Sequence, residues 1–150
     1  MFNSPNRLVG ILFGVIYIVV GVLGFTVTRA VTFTTTQGEL LIGVFGVNPL
    51  LNVTHLVLGA ALIVGGMVSV KAAKMTNGVV GAVFLVLGVG GFFIAGTTLN
   101  LLALNMPDHF LHLASAGVLI VVALAADRDE TSGAPATARQ QQGTRTSDTD

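Results

Sequence analysis

The chain has 150 residues, 53% of them hydrophobic, with only seven basic and seven acidic side chains and zero net charge. The first 126 residues hold just Arg7, Arg29, Glu39, Lys71, Lys74 and Asp108, too few to cover a water-soluble domain of that length. There is no cysteine, basic run, phosphate-cradling glycine loop or nucleophile motif, which excludes disulfides, thiolate chemistry and a nucleic-acid partner and leaves the lipid bilayer as solvent for most of the chain.

In chain order, four segments have the ~20 mostly apolar residues that a hydrocarbon core requires, namely 8–26, 49–70, 77–97 and 108–126. The first, LVGILFGVIYIVVGVLGFT, exceeds the ~7–15 apolar residues of a cleaved leader and is read as retained. In the loop over 27–47, the threonines predict a short extended piece, and ELLIGVFG then predicts an interfacial turn of helix. The second span opens on NPLLNVTHL, where Asn48 fits a helix cap and Pro49 the first turn. KAAKMTN reads as a short link that makes spans two and three antiparallel neighbours. The fourth span opens on NMPDHFLHL, with Asn105 at the cap and Asp108 where the helix dipole favours an acid. Residues 127–150 have no aromatic and almost no aliphatic bulk, so a disordered tail is expected. Near the span ends, Arg7, Lys71, Lys74 and Arg128 oppose Arg29 alone, which puts both termini in the cytoplasm.

The fold class read from this pattern is an all-α membrane protein, a four-transmembrane-helix bundle over residues 1–126, and the bundle carries an internal repeat. A shift of 67 positions lays Gly14, Tyr17, Gly21 and Gly24 on Gly81, Phe84, Gly88 and Gly91. A shift of 57 lays Asn48 and His55 on Asn105 and His112. Each unit contains two spans, so the copies share one orientation, a 2+2 tandem parallel repeat about an axis along the membrane normal. The glycine stripes, with Gly59 and Gly66 of span two, predict close helix packing inside the monomer, ahead of a dimer through Gly10 and Gly14.

Asn48, Asn52, His55, Asn105, Asp108 and His112 form the polar cluster of possible function. Each of His55 and His112 lies seven residues past its cap, above small residues (Gly59 and Gly66, or Ala116 and Ala123), and so should face other helices rather than lipid. The plainest role is hydrogen bonding within the bundle, to loop carbonyls and the asparagines. Two sharper roles compete with it: a single haem b held between His55 and His112, and a metal or proton site that enlists His109 and Asp108, as in a small transporter. Glu39 reads as a solvated loop acid.

GVFGVNPLLNVTHLVLGAALIVGG and TLNLLALNMPDHFLHLASAGVLIVVAL resemble the bacterial, mainly actinobacterial, four-span proteins of the domain of unknown function 4383 family, over roughly residues 5 to 126. The second motif of that family looks like Asp-Asn-x-x-Leu-His. Asp108, Leu111 and His112 match it, whereas His109 stands where Asn is usual, so the resemblance implies no role for position 109. It implies a multi-pass plasma-membrane protein with no assigned activity. Together these readings predict a non-catalytic structural or interaction role, without a cofactor, exerted on membrane-protein partners or by self-association.

Overall fold

The computed structural model describes residues 4–127. Four helices, α1 (Pro5–Val27), α2 (Pro49–Val68), α3 (Val70–Ile94) and α4 (Met106–Ala125), are long and apolar enough to cross a membrane. The molecule is accordingly a multi-pass membrane protein by design. The predicted tail lies outside the described residues except for Asp127, which is tied to the bundle.

Each helix starts for a reason visible in its first residues. Ser4, Asn48, Ser69 and Asn105 are the N-caps, and each side chain accepts a backbone N–H of the first turn. Proline fills the first turn of α1, α2 and α4, where its missing N–H costs nothing. In α4 the Asn105 side chain and the Asp108 carboxylate complete a reciprocal capping box.

Burial runs opposite to that of a soluble bundle. The inward face of α1 is Asn6, Gly10, Gly14, Tyr17, Gly21 and Gly24, whereas Leu12, Val15, Val19 and Val22 point outward. Lipid offers an apolar side chain no gain from burial, so small residues that bring backbones together occupy the interior. α1 packs along α2 and α3 along α4, and the α1–α4 seam is the loosest contact between neighbouring helices. Tyr17, Leu62, Val80, Phe84, Ala116 and Leu119 form the mid-bundle core.

Two expectations fail locally. KAAKMTN is no link but the first turns of α3, and the chain reverses at Ser69 alone, in extended conformation (φ −163°, ψ 165°). Lys, Ala and Met are strong helix formers, and the Ser69 hydroxyl accepting the Ala72 N–H at 3.0 Å starts the helix at once. ELLIGVFG is not helical either. It forms an antiparallel hairpin, β1 (Glu39–Leu41) and β2 (Phe45–Val47), pairing Glu39 with Val47 and Leu41 with Phe45. Ile42 (φ 49°) and Gly43 (φ 74°) supply the left-handed pair that a tight hairpin turn demands. The threonines before it form turns, not a strand. The hairpin closes one end of the bundle, with Leu41 and Val47 buried on Leu51 and Leu104.

Candidate functional site

The hairpin end gathers the predicted polar residues, and hydrogen bonds there run across the molecule. Asn48 accepts the Leu51 N–H at 2.8 Å and donates its amide to the Thr35 carbonyl (2.8 Å) and the Leu101 carbonyl (2.7 Å). Asn105, at the head of α4, donates to the Val44 carbonyl at 2.8 Å. Asp108 Oδ2 accepts the N–H of Asn105 at 2.9 Å and of Gly46 at 3.0 Å, so it joins α4 to β2. Asn100 braces its own loop through the Leu104 carbonyl and N–H.

One layer deeper, Asn52 lies against Gly24 and donates to the Thr28 hydroxyl at 3.0 Å. His109 lies against Gly91 and beside Phe92, ring centroids 4.9 Å apart. Both glycines are required: a Cβ at Gly24 would overlap the Asn52 amide, and one at Gly91 the His109 ring. The other stripe positions make close approaches too, to backbone or to side chains. A Cβ at Gly14 would fall 2.6 Å from the Gly59 carbonyl oxygen, at Gly21 2.8 Å from that of Asn52, and at Gly88 2.7 Å from the Leu113 side chain. Gly81 faces Ile120, and Gly66 faces Ile11. Gly10 is turned inward, against Asn77.

Deeper still, Tyr17, His55, Phe84 and His112 form a closed aromatic quartet. Ring centroids are 5.1 Å apart for Tyr17 and His55, 5.3 Å for Phe84 and His112, 4.5 Å for Tyr17 and Phe84, and 6.0 Å for the two histidines. Phe84 stacks flat on His112, at 9°. The histidines are thus brought together, but not as bundle hydrogen bonding would have it. The loop carbonyls go to Asn48 and Asn105, while both ring nitrogens of His55 and of His109, and Nδ1 of His112, have no partner among the described residues.

This packing does not fit a haem. A porphyrin between His55 and His112 would need the space that Tyr17 and the stacked Phe84 fill. Among the described residues no three of His, Asp and Glu converge as a metal shell. Glu39 is exposed on β1 and takes no part.

The sequence reading missed a second polar layer at the opposite end. Asp127 Oδ2 accepts from the Ser4 hydroxyl (2.7 Å), the Asn6 amide (2.9 Å) and the Asn6 N–H (3.1 Å). Asn77 in turn donates to the Asn6 side chain and carbonyl, and Arg7 caps the end of α2 through the Gly66 and Met67 carbonyls. Asn6 and Asn77 just outside or at the edge of apolar runs were the available signal. The Tyr17 hydroxyl, donating to Ser115 at 2.7 Å, was also missed.

Between α1 and α4 two adjoining cavities open. One of about 270 Å³ is lined by Phe13, Ile16, Tyr17, Leu111 and Ser115; the other, of about 150 Å³, by Leu41, Phe45, His55 and Asp108. Val20 and Leu111 border both.

Residues 7–125 match the family described as Domain of unknown function (DUF4383), and the chain belongs to that family. No curated protein and no solved structure matches it.

Proposed function

We propose that this chain is a doubled helical hairpin of the bacterial plasma membrane, termini in the cytoplasm, that acts without catalysis by holding helix contacts with membrane-protein partners or with itself. The observation that carries the reading is the reciprocal bracing of the caps. Asn48 reaches Leu101, and Asn105 reaches Val44, so donors and acceptors both correspond under the 57-residue shift. The Asn48 and Asn105 amides and the Asp108 carboxylate are thereby committed to joining the two halves.

Further observations support the duplication. Bounds of α2 and α4 differ by 57 at both ends, and α1 and α3 end 67 apart. Gly21 and Gly24 face Asn52, as Gly88 and Gly91 face His109. The Tyr17–His55 and Phe84–His112 distances agree to 0.2 Å (5.1 and 5.3 Å). The orientation rests on the basic residues near the helix ends.

The test combines topology with composition. The chain has no cysteine, so single cysteines placed in the hairpin and beside Lys71 should react with an impermeant maleimide from opposite sides of the membrane. Protein purified in mild detergent should be colourless and free of stoichiometric metal. A Soret band lost in His55→Ala, or both cysteines labelling from one side, would overturn the reading.

A second reading draws on the two imidazoles that face each other across 6.0 Å with unpartnered nitrogens. They could share a proton or a two-coordinate metal ion, as a small transporter would require. Tight zinc binding that disappears in both His55→Ala and His112→Ala would move the assignment to this alternative.

A further inference from the structure

The duplication proposed above makes a comparison possible within one chain. The α1–α4 seam corresponds to the α2–α3 seam, which the direct reversal at Ser69 closes. Three positions change from apolar to polar between them. Phe84 corresponds to Tyr17, Leu58 to Ser115 and Leu51 to Asp108, and in each pair the polar member borders the open seam. His55, 4% exposed and without a partner for either ring nitrogen among the described residues, borders the same cavity as Asp108. A buried imidazole lacking hydrogen bonds is costly unless something outside the chain satisfies it.

The shape of the seam narrows the occupant. Its mid-bundle part is lined almost wholly by hydrocarbon, from Phe13, Ile16, Val20 and Leu111, and it opens between two helices whose outer faces are apolar. Ligands reach it from the lipid. The inner end offers an imidazole and a carboxylate, and no Lys or Arg borders either cavity. An anionic head would meet Asp108 with nothing to offset it, whereas a hydroxyl can donate to the carboxylate and exchange a hydrogen bond with the imidazole. The two cavities share Val20 and Leu111, and volumes of about 270 and 150 Å³ leave room for one chain.

We infer that the α1–α4 seam is a binding site for a single-chain amphiphile with an uncharged hydroxyl head, its chain along Phe13, Val20 and Leu111 and its head at His55 and Asp108. The site goes beyond the structural role proposed above and rests on that reading for its membrane setting.

Tyr17, which lines the seam, is the only tyrosine, and there is no tryptophan. It therefore serves as a built-in fluorescent reporter. The protein is reconstituted in phosphatidylcholine vesicles and titrated with a monoacylglycerol brominated in mid-chain. Saturable quenching of Tyr17 is expected, reversed by unbrominated monoacylglycerol, with the fatty acid of the same length at least fivefold weaker. His55→Phe, which keeps an aromatic ring but removes both nitrogens, should weaken binding at least fivefold. Ala114→Phe, on the exposed flank of the seam, should block the chain and leave only linear quenching; Val118→Phe replaces it if that variant fails to fold. Linear quenching in the native protein, equal to that of the blocked variant, overturns the site. Equal binding of the fatty acid, or full affinity in His55→Phe, overturns it as well. Failure of the membrane reading would show separately, as protein released from the vesicles by alkaline carbonate.

Discussion

Asp127 turns the end of the last helix into a clasp. Burial works to raise its carboxyl, but hydrogen bonds from the Asn6 amide, the Ser4 hydroxyl and the Asn6 N–H, with the Lys74 charge, outweigh burial and hold it below the ordinary carboxylate value. A depressed folded-state value means stability that is fully present above the unfolded value of about 3.9 and lost as the pH falls through the folded one. The native protein should therefore lose its thermal-stability advantage over Asp127→Asn as pH drops from 5 to 3, and keep it from 5 to 7. An advantage unchanged at pH 3 would show that the carboxylate is not what holds the clasp. Gly24 gives the complementary case of a missing atom. Gly24→Ala drives a methyl into the Asn52 amide, and overpacking of this kind costs roughly 1–3 kcal/mol, whereas Gly90→Ala, with open space around it, should be neutral. The glycine stripes were legible because a helix repeats its faces at fixed intervals. The Asp127 clasp was not, since it joins residues 121 and 123 positions apart and no spacing rule relates them.

At the scale of elements, the four helices could be read from apolar length and caps, while their connections could not. Hydropathy marks where lipid lies, and a helix that continues past the hydrocarbon carries no hydropathic signal, as Lys71 and Lys74 in α3 illustrate. The hairpin was hidden for another reason. Ile42, a β-branched residue, sits in left-handed backbone where Asn or Gly would be the readable signal. That choice leaves strain in the turn, and Ile42 is 75% exposed, so it gains little packing in return. Ile42→Gly should raise the stability of the hairpin by about 1 kcal/mol, the scale of relief expected at such positions. Amide hydrogen exchange at Val44, whose N–H closes the turn on Leu41 at 3.1 Å, gives the measurement. Faster exchange in the variant would mean that Ile42 is held there by a contact with lipid or a partner.

For the whole molecule, the question is whether the two hairpins merely touch or lock each other. In lipid the apolar seams between them are driven weakly, because acyl chains wet leucine as well as protein does. Direction and register must then come from polar contacts, and the cap asparagines are suited to this. Each is fixed by its own helix N-terminus and extends to a carbonyl of the other half, Leu101 for Asn48 and Val44 for Asn105. Asn48→Ala would leave the Thr35 and Leu101 carbonyls and the Leu51 N–H unmet, at a cost on the order of 1–3 kcal/mol. Asn105→Ala should cost a similar amount. The two side chains share no hydrogen-bond partner, so purely local roles would make the losses add to within about 0.5 kcal/mol. If the braces jointly hold one interface, breaking the first already frees the loops that the second restrains. The double variant then loses less than the sum, by more than that margin, in thermal unfolding in mild detergent. Strict additivity would reduce both asparagines to caps, and the halves would be held together by the Gly46–Asp108 and Tyr17–Ser115 bonds, the aromatic quartet and the Asn6–Asn77–Asp127 layer.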